Sequence, residues 1–470
     1  MKKTKIISTI GPSSIDLSVM EELILKGTDV IRINLSHADE KFCDEVITKV
    51  RKLEKKLQKP IGIMLDTDGP SVRLDKFKEE KAFLSIDHEV KLYRYHVLCN
   101  NIQFSINDPE VIDDLIIGDV LLLSDGNVIL EVMDILNDYV SLKVIKEGYI
   151  YSNQTVHLKG KSFDLPFLSE KDRKGILYGI KKKVDFIALS YVRNEIDVLE
   201  VVDLIIENGD SHIGIISKIE NNDAINNLEE IVDVSDGVMV ARGDLAIEMS
   251  IEKMPYFQKE ILEMARKHEK IGVVATDFLL SMAENNTPAR AEVSDIYNAI
   301  MDKCDAILLS GETTIGKYPV LAVETLSKVI VSAEEDFDYD SNLNNILRDK
   351  KQDITSSIAY SVVDSSIRLN TKYIVANTNS GYTALKISHF RPRNNILGFS
   401  PSNDTIHALT LVYGVIPIKT IRCTSTDKII DNCLSISKKM FKLKKNDIII
   451  ITGGFPVRSK NTNFMKVEII

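Results

Sequence analysis

Hydrophobic and polar positions follow two periodicities along the first 67 residues, and together they predict a parallel sheet. Three short apolar runs have the length of buried strands: TKIISTIG, DVIRINLSH and IGIMLDT. Between them lie stretches with apolar residues at helical spacing, SVMEELILKG and CDEVITKVRKLEKKL. Because strands that alternate with helices pair in parallel beneath a helical layer, residues 1–67 are expected to begin an α/β domain.

The pattern changes between residues 68 and 164. This segment holds short strand-like runs, VKLYRYHVL, DVLLLSDGNVILEVMDI and VSLKVI, which are broken by Asn, Asp and Gly. It lacks the long helical periodicity of its neighbours. We interpret 68–164 as a small β-rich module inserted in the first domain.

The alternation of strands and helices resumes after the insertion. Five more strand-like runs follow within residues 165–341: DFIALSYV, GIISKIE, DGVMVARG, GVVATDF and DAILLSG. Three strands before the insertion and five after it predict a (β/α)8 TIM barrel. Residues 342–470 begin with a lysine- and asparagine-rich connection, NLNNILRDKKQD, and then alternate again. That last segment is expected to form a separate α/β domain.

Composition narrows the class of protein. The chain has 470 residues, 44% of them hydrophobic and 27% charged, as in an ordinary soluble globular protein. Its net charge of -10 and the lack of a basic block argue against a nucleic-acid partner. No apolar stretch reaches the ~18 residues of a membrane span, so we expect a cytoplasmic protein without a membrane partner. The five cysteines are scattered without a CxxC pair, which argues against a disulfide framework or a zinc site.

Charged and polar side chains gather where the predicted barrel strands end. In ISKIENN, Lys218 and Glu220 share the face of the apolar Ile216 if the strand is extended. A solvated ion pair at a strand end would explain that run alone. Similar residues end five other strands: Arg32, Asn34 and Ser36; Asp66 and Thr67; Arg242, Gly243 and Asp244; Thr276; and Ser310, Gly311 and Glu312. Because barrel enzymes assemble their sites on this face, the set predicts an active site.

Two carboxylates and two cations in this set indicate a particular chemistry. Glu220 and Asp244 end neighbouring strands and are hard oxygen ligands of the kind that Mg²⁺ prefers. Arg32 and Lys218 bring positive charge to the same mouth, where it would neutralise a phosphoryl group in transfer. After Gly243 the segment GDLAIEM is expected to begin a helix whose free amides could hold a carboxylate or phosphate. A simple turn before a capped helix would give the same pattern.

Nine motifs in order give the chain a resemblance to pyruvate kinases. They cover nearly the whole sequence: TKIISTIGPSS, IRINLSHA, LDTDGPSVRL, DLPFLSEKD, ALSYVR, SKIENN, DGVMVARGDLAIE, ARAEVSD and AILLSGETTIGKYP. The resemblance implies a barrel, a mobile β-rich lid inserted after its third strand, a C-terminal α/β regulatory domain and a homotetramer. It also implies the last step of glycolysis, in which the phosphoryl group of phosphoenolpyruvate passes to ADP and gives pyruvate and ATP.

The resemblance assigns roles to the residues at the strand ends. Glu220 and Asp244 would bind a divalent metal, Mg²⁺ or Mn²⁺, while Lys218 and Arg32 would hold the phosphoryl group. The family's potassium site corresponds to four residues: Asn34, Ser36, Asp66 and Thr67. Three residues would lie near the nucleotide: Asn34, His37 and Arg73.

The same resemblance implies how the organic part of the substrate is held. The backbone of Gly243 and Asp244 would receive its carboxylate at the start of the helix. Thr276 and Ser310 match the place where the family protonates the enolate of pyruvate, with Glu312 beside them.

The chain departs from the family's usual residues in several places. The usual DTKGPE is DTDGPS here, so Asp68 replaces a lysine, and Ser71 replaces a glutamate associated with potassium dependence. The potassium requirement is therefore left open. In the lid, Asn153 and Gln154 occupy the place of two lysines, and the lost charge should weaken ADP binding. Asp277 adds negative charge near the site, so a slower turnover or another phosphate acceptor is compatible with the sequence.

A hydroxyl-rich loop in the last domain matches the effector loop of the family. Its residues are Thr378, Asn379, Ser380, Gly381 and Thr383. Hydroxyls and amides at the start of a helix suit a phosphate, so a phosphorylated small-molecule effector is expected. A plain helix cap is the alternative, and the sequence does not identify the effector.

Three functions are open on the sequence alone. An active pyruvate kinase is favoured because every metal and phosphate residue of the resemblance is present. The changes in the lid motivate a second hypothesis, a catalytically weak paralogue that acts as a sugar-phosphate sensor or interaction protein. A third keeps the barrel and the metal but assigns another reaction of an enolate, such as carbon–carbon cleavage. The β-rich lid and the residues on the nucleotide side argue against the third.

Overall fold

The first strands and helices of the chain begin a barrel. The structure is a computed structural model that describes residues 1–124, 126–209, 212–249, 251–346, 353–423, 425–454 and 461–470. The first elements are β1 (Lys5–Thr9), α1 (Leu17–Lys26), β2 (Val30–Asn34), α2 (Glu40–Leu57) and β3 (Gly62–Asp66). Helix α2 begins after Asp39, whose carboxylate accepts a hydrogen bond of 2.8 Å from the N–H of Phe42. Its buried residues recur every three or four positions and pack on the sheet: Cys43, Val46, Val50 and Leu53.

The segment that follows β3 is β-rich, as expected, and is called the lid below. Its strands are β4 (Lys81–Leu84), β5 (Glu89–Tyr93), β6 (Gln103–Phe104), β7 (Val120–Leu123), β8 (Val128–Ile135), β9 (Tyr139–Lys146), β10 (Gly148–Tyr151) and β11 (His157–Leu158). One sheet has the order β11-β7-β8-β9-β5-β6, and β10 pairs with β4. The lid buries its own hydrophobic cluster, which includes Leu92, Leu121, Leu130 and Leu142. A separate core explains how the segment folds as a module.

The remaining strands close the barrel. The elements are α3 (Glu170–Lys182), β12 (Phe186–Leu189), α4 (Glu195–Glu207), β13 (Gly214–Ile219), α5 (Asn222–Asn226), α6 (Leu228–Val234), β14 (Gly237–Ala241), α7 (Arg242–Glu248), α8 (Met254–Lys267), β15 (Ile271–Ala275), α9 (Arg290–Met301), β16 (Ala306–Leu309), α10 (Gly311–Thr314) and α11 (Pro319–Asp336). Parallel strands in the order β1-β16-β15-β14-β13-β12-β3-β2 form a closed barrel. The predicted (β/α)8 barrel is confirmed.

Side chains alternate between the barrel interior and the helical layer along each strand. On β13, Ile215 and Ile219 belong to the hydrophobic cluster that packs beneath the helices. Ile216 belongs to a different cluster, which includes the barrel interior and continues into the C-terminal domain. Because Lys218 is two residues after Ile216, it also points inward and emerges at the carboxyl mouth of the barrel.

The C-terminal part of the chain forms a second α/β sheet. Its elements are α12 (Tyr339–Ile346), α13 (Ile354–Arg368), β17 (Tyr373–Asn377), α14 (Tyr382–His389), β18 (Ile396–Ser400), α15 (Asn403–Ala408), β19 (Val415–Lys419), α16 (Thr426–Phe441), β20 (Ile448–Gly453) and β21 (Phe464–Ile469). The strand order is β19-β18-β17-β20-β21, and only β21 pairs antiparallel among these described strands.

The predicted connection NLNNILRDKKQD is partly wrong. Residues 342–346 complete helix α12, and Leu343 is buried, so this part packs as a helix. Residues 347–352 lie outside the described residues. The domain bounds 1–67, 68–164, 165–341 and 342–470 stay a prediction. Within the described ranges, no helix combines the length and apolar character that a membrane crossing requires.

Charged contacts join the C-terminal domain to the amino-terminal mouth of the barrel. His407 on α15 lies between two barrel carboxylates, with Nε2 2.6 Å from Glu54 and Nδ1 3.1 Å from Asp185. Arg51 lies on the same side, 3.4 Å from Nε2. The imidazole is therefore a charged link across the boundary.

We expect this link to make stability fall at alkaline pH. Burial alone lowers the pKa of His407, but hydrogen bonds to Asp185 and Glu54 outweigh it and raise that pKa to about 9. Because the folded pKa exceeds the unfolded value of ~6.5, the stabilisation is complete below about pH 6.5 and is lost as the pH rises through about 9. His407→Gln should lower the free energy of unfolding by about 1–3 kcal/mol near pH 6 and by much less above pH 9.

Thermal and urea unfolding across this pH range would measure the difference. His96→Gln is a suitable control, because His96 lies on the lid surface and pairs with Asp75 there. The His96→Gln variant should lose stability with rising pH to the same extent as wild type. Identical pH profiles for wild type and His407→Gln would contradict the assignment.

Candidate active site

The carboxyl ends of the barrel strands and an edge of the lid line a cavity of about 230 Å³. The structure brings twelve of the predicted residues together there: Arg32, Asn34, Ser36, His37, Asp66, Thr67, Arg73, Lys218, Glu220, Asp244, Thr276 and Ser310. They come from strands far apart in sequence, which meet at one mouth because all barrel strands are parallel. The cavity is the candidate active site.

A buried carboxylate organises the two cations on one wall. Asp66 is 1% exposed and accepts a hydrogen bond of 2.6 Å from Nε of Arg32. Its other oxygen lies 3.3 Å from Nζ of Lys218 and 3.2 Å from the hydroxyl of Ser190. Burial opposes ionisation, but Arg32 and Lys218 outweigh it and lower the pKa of Asp66. Asp66 is therefore an anion that fixes both cations.

Lys218 and Glu220 form a buried pair, and the solvated strand-end pair is excluded. Nζ of Lys218 lies 2.9 Å from Oε1 of Glu220, and the two side chains are 12% and 1% exposed. Burial tends to lower the pKa of Lys218, but Asp66 and Glu220 outweigh it and raise that pKa. For Glu220, burial and the nearby Asp244 raise the pKa to about 7 against the effect of Lys218. Burial and the neighbouring carboxylate of Asp244 therefore oppose the ionisation of Glu220.

Helix α7 carries Asp244 into the cavity, but it begins earlier than predicted. Its first residue is Arg242, so Gly243 already lies in the helix. The N–H of Gly243 donates to the Thr276 hydroxyl at 3.0 Å, and Gly243 does not line the cavity. The expectation of a free amide at Gly243 is wrong, because Thr276 already accepts its hydrogen bond.

The end of β15 is strained. Thr276 and Asp277 both have positive φ, 72° and 59°, which side chains with a Cβ rarely adopt. The guanidinium of Arg242 donates to the carbonyls of Ala275 and Thr276 and holds this turn. Thr276 is thereby directed into the cavity. Asp277 is exposed and does not line it, so the predicted negative charge near the site is outside the cavity wall.

Ser310 and Glu312, at the end of the last barrel strand, have different roles. Ser310 lines the cavity. Glu312 does not: it is 2% exposed and accepts hydrogen bonds from the N–H groups of Leu279 and Ser310. Glu312 therefore stabilises the loops behind the site.

Two carboxylates in the cavity suit a divalent cation only with further oxygen ligands. Among the described residues, no cluster of three or more His, Cys, Asp or Glu side chains could hold a metal. Glu220 and Asp244 nevertheless fit Mg²⁺, which is commonly bound by one or two carboxylates together with water and substrate phosphate. In the cavity wall four Asp and Glu side chains outnumber three Arg and Lys side chains, which also favours a cation.

Comparisons with known proteins identify the family. The model of the pyruvate kinase barrel domain matches residues 1–323, and that of the pyruvate kinase alpha/beta domain matches residues 356–468. Pyruvate kinases of Sporosarcina psychrophila and of Staphylococcus aureus strain MRSA252 are each 38% identical to the chain, over 100% of it and 81% of their own length. The chain belongs to the pyruvate kinase family. A crystal structure of a pyruvate kinase from Cryptosporidium parvum matches with a TM-score of 0.93 at 32% identity, covering 100% of this chain and 96% of that one.

Membership of the pyruvate kinase family confirms the resemblance, the fold class and the enzyme class predicted from the sequence. The family acts on phosphoenolpyruvate and ADP and in general depends on a divalent metal and K⁺. The relatives named above are pyruvate kinases, and none of them favours the sensor hypothesis or the carbon–carbon cleavage hypothesis.

Asp68, which replaces the usual lysine of the pyruvate kinase family, is the centre of a polar cluster. Its carboxylate accepts hydrogen bonds from the hydroxyl of Ser36 at 2.8 Å and from Arg73 and Lys171 at 2.9 Å. Burial opposes the ionisation of Asp68, but these hydrogen bonds outweigh it and lower the pKa of Asp68. Ser71 accepts a bond of 3.2 Å from Arg73. Both departures from the family therefore hold the guanidinium of Arg73 at the lid edge of the cavity.

The two lid positions that lack lysines do not reach the cavity in this structure. The carbonyl of Asn153 accepts a hydrogen bond of 3.3 Å from Arg73. The amide of Gln154 bonds with the Tyr151 N–H and the Ser124 hydroxyl, both at 2.9 Å. The side chain of Gln154 therefore has a local role in the lid.

Sequence reasoning missed two residues at the end of the fourth barrel strand. Ser190 and Tyr191 follow β12 directly and line the cavity. Ser190 accepts a hydrogen bond of 2.7 Å from Lys218, and Tyr191 contacts Glu220 and Asp244. The strand-end rule that found the other residues would have found these in ALSYVR.

A second and larger cavity lies in the C-terminal domain. Its volume is about 870 Å³, and its wall includes Thr378, Asn379, Ser380, Thr383 and Arg422. Gly381 is not part of that wall. It caps α14 with a φ of 90°, and its N–H donates to the Thr378 hydroxyl at 2.9 Å. The predicted effector loop therefore borders a cavity, and part of its hydrogen bonding caps the helix.

Proposed function

We propose that this chain transfers the phosphoryl group of phosphoenolpyruvate to ADP and that the 230 Å³ cavity is where it does so. The observation that carries the proposal is the buried set in which Lys218 lies between Asp66 and Glu220, at 3.3 and 2.9 Å. Phosphoryl transfer depends on positioning and on neutralising charge, and this set supplies both.

Arg32 and Lys218 receive the phosphoryl group. Arg32 is fixed by Asp66 and by the hydroxyl of Thr9 at 3.0 Å, so its guanidinium is placed before substrate binds. Lys218 exchanges part of its contact with Asp66 and Glu220 for the phosphoryl oxygens as the group moves. The phosphorus–oxygen bond of phosphoenolpyruvate breaks, and a new one forms to the terminal phosphate of ADP.

The enolate that remains takes a proton at its methylene carbon and becomes pyruvate. Thr276 and Ser310 lie on the wall where this proton is delivered, through water that their hydroxyls hold. Asp244, near the start of α7, lies on the side of the cavity where the carboxylate of the substrate would bind. The hydroxyl of Thr276 donates to the carbonyl of Ala275 at 2.7 Å, which holds it in position.

A divalent cation, Mg²⁺ or Mn²⁺, would be held by Glu220 and Asp244 and would neutralise phosphoryl oxygens when bound. Oxygen atoms of the residues that match the potassium site also line the cavity: Asn34, Ser36, Asp66 and Thr67. K⁺ activation is part of the proposal. His37, Arg73 and Asn34 lie on the side assigned to ADP.

The test is pyruvate release from phosphoenolpyruvate and ADP with Mg²⁺, with and without K⁺, followed through a coupled dehydrogenase. Turnover within about 1–1000 per second supports the proposal. The comparison between the two salts decides whether Ser71 permits potassium dependence. A folded protein that shows no turnover with or without K⁺ would contradict the proposed function. Other nucleoside diphosphates in the same assay give the preferred acceptor.

We also propose that the cavity of about 870 Å³ binds a phosphorylated small-molecule effector. Hydroxyl and amide groups of the loop and the guanidinium of Arg422 line this cavity and suit a phosphate. The homotetramer and the cytoplasmic location remain predictions from the resemblance and composition. Light scattering would measure the first.

Lys218→Met should lower kcat by about 10²–10³-fold or more, because the charge held against the moving phosphoryl group is lost. Mn²⁺ binding should be largely retained, since Met keeps the bulk and does not replace a metal ligand. Steady-state kinetics and Mn²⁺ titration measure the two effects. Lys56→Met is the control, because Lys56 pairs with Glu21 at the surface, does not line the cavity and should keep a rate near wild type. Normal turnover of Lys218→Met would exclude the role assigned to Lys218.

Glu220→Gln should weaken Mn²⁺ and Mg²⁺ binding by about 10–100-fold, since a neutral amide is a poorer ligand than a carboxylate. Titration followed by electron paramagnetic resonance measures the change without turnover. Glu284→Gln is the matched control, because Glu284 pairs with Lys317 at the surface. Unaltered affinity in Glu220→Gln would reject Glu220 as a ligand.

Ser380→Glu should weaken binding of phosphorylated sugars at least about tenfold, because it adds a negative charge to the wall of the larger cavity. Calorimetric titration with a panel of sugar phosphates, and with inorganic phosphate, measures binding. Ser435→Glu is the control, since Ser435 is exposed on α16 and does not line that cavity. Equal binding by wild type and Ser380→Glu would place the effector elsewhere.

A further inference from the structure

Tyr191 contacts both carboxylates to which the proposed function assigns the metal. Its backbone N–H donates to Oε2 of Glu220 at 2.6 Å, and its hydroxyl donates to Oδ1 of Asp244 at 3.0 Å. Glu220 follows β13, whereas Asp244 lies in α7 after β14. A single residue therefore bridges acidic groups from two neighbouring barrel units.

The backbone of Tyr191 is strained to make this bridge. Its φ is 54°, a left-handed conformation that costs a bulky residue about 1–3 kcal/mol unless its surroundings impose it. The surroundings include Ser190, whose N–H donates to the Thr67 hydroxyl at 3.1 Å and whose hydroxyl donates to the Thr67 carbonyl at 2.7 Å. The turn after β12 is thus clamped, and strain of this kind concentrates at functional sites.

The bridge uses one oxygen atom of each carboxylate. Tyr191 engages Oδ1 of Asp244 and Oε2 of Glu220, so Oδ2 of Asp244 is not used by Tyr191. Oε1 of Glu220 lies against Lys218 at 2.9 Å. A carboxylate whose one oxygen is fixed by a hydrogen bond is held in orientation for a ligand at the other, which is how partners of metal ligands raise affinity.

We propose that Tyr191 is a positioning residue that orients Asp244 and Glu220 for the divalent cation. The inference rests on the proposed metal assignment. The hydroxyl of Tyr191 acts through Asp244, and its backbone N–H acts through Glu220. Its ring packs toward His157 of the lid, with centroids 6.3 Å apart, so the same residue borders the lid and the metal ligands.

Tyr191→Phe tests the hydroxyl, because it removes one hydrogen bond and keeps the ring. Mn²⁺ affinity, measured by electron paramagnetic resonance with and without phosphoenolpyruvate, should fall by about 10–100-fold. In steady-state kinetics the Mg²⁺ concentration for half activation should rise by a similar factor, while kcat at saturating Mg²⁺ stays close to wild type.

Tyr178→Phe is a matched control. The hydroxyl of Tyr178 also donates to a carboxylate, that of Asp44 at 2.5 Å, but on the outside of the barrel. Its removal should change thermal stability no less than Tyr191→Phe does and should leave Mn²⁺ affinity unaltered. A purely structural role for the Tyr191 hydroxyl would make the two variants alike.

Glu220→Gln distinguishes failure of this inference from failure of the proposed function. If Glu220→Gln weakens Mn²⁺ binding and Tyr191→Phe binds as tightly as wild type or tighter, the metal assignment stands and the positioning role is overturned. If Glu220→Gln and Tyr191→Phe both bind Mn²⁺ as wild type does, the metal assignment and the positioning role are both overturned. The same holds if wild type binds no Mn²⁺ with or without phosphoenolpyruvate.

Discussion

The ionised carboxylate of Asp66 is the group on which the arrangement of the site depends. It fixes Arg32 and Lys218 from the interior side, where a charge without a partner would be costly. Four carboxylates then face three cations in one cavity: Asp66, Asp68, Glu220 and Asp244 against Arg32, Arg73 and Lys218. Such a wall repels an anionic substrate unless further positive charge is present. In the proposed function, a divalent cation would supply this positive charge. The pKa of Glu220 is raised mainly by burial, and the nearby Asp244 adds to that effect.

The lid meets the barrel through the same chain segment that carries Asp66. The carboxylate of Asp172 on α3 accepts hydrogen bonds from the N–H groups of Asp68 and Gly69, at 2.8 and 3.0 Å. Gly69 has a φ of 76°, and a Cβ there would lie 2.8 Å from the carbonyl oxygen of Ser190. The first residues of the lid are therefore pressed against the turn that holds Tyr191. This contact joins the start of the lid to residues that touch the candidate metal ligands.

Strand ends could be predicted from the sequence, but partners could not. Lys218 and Glu220 were found because alternation along a strand is a local property, and the parallel barrel places all such ends together. The bridge from Tyr191 to Asp244 depends on a left-handed backbone and on two residues 53 positions apart, neither of which a local pattern encodes. The role of Asp68 could not be predicted for a similar reason, since its three partners come from the loop after β2, from the lid and from α3.

Polar residues also flank the opposite ends of the strands, and there the same pattern has a different meaning. Four aspartates precede alternate strands, and each carboxylate accepts the N–H of a residue at the start of the neighbouring strand: Asp29 from Ile6, Asp185 from Ile63, Asp236 from Ile215 and Asp305 from Gly272. Asp185 and Asp305 have a second use, since they pair with His407 and Arg391 of the C-terminal domain. Their backbone bonds hold these carboxylates at the rim, where they can pair with cations of another domain. The barrel thus separates its charges, with chemistry at the carboxyl mouth and domain attachment at the amino mouth.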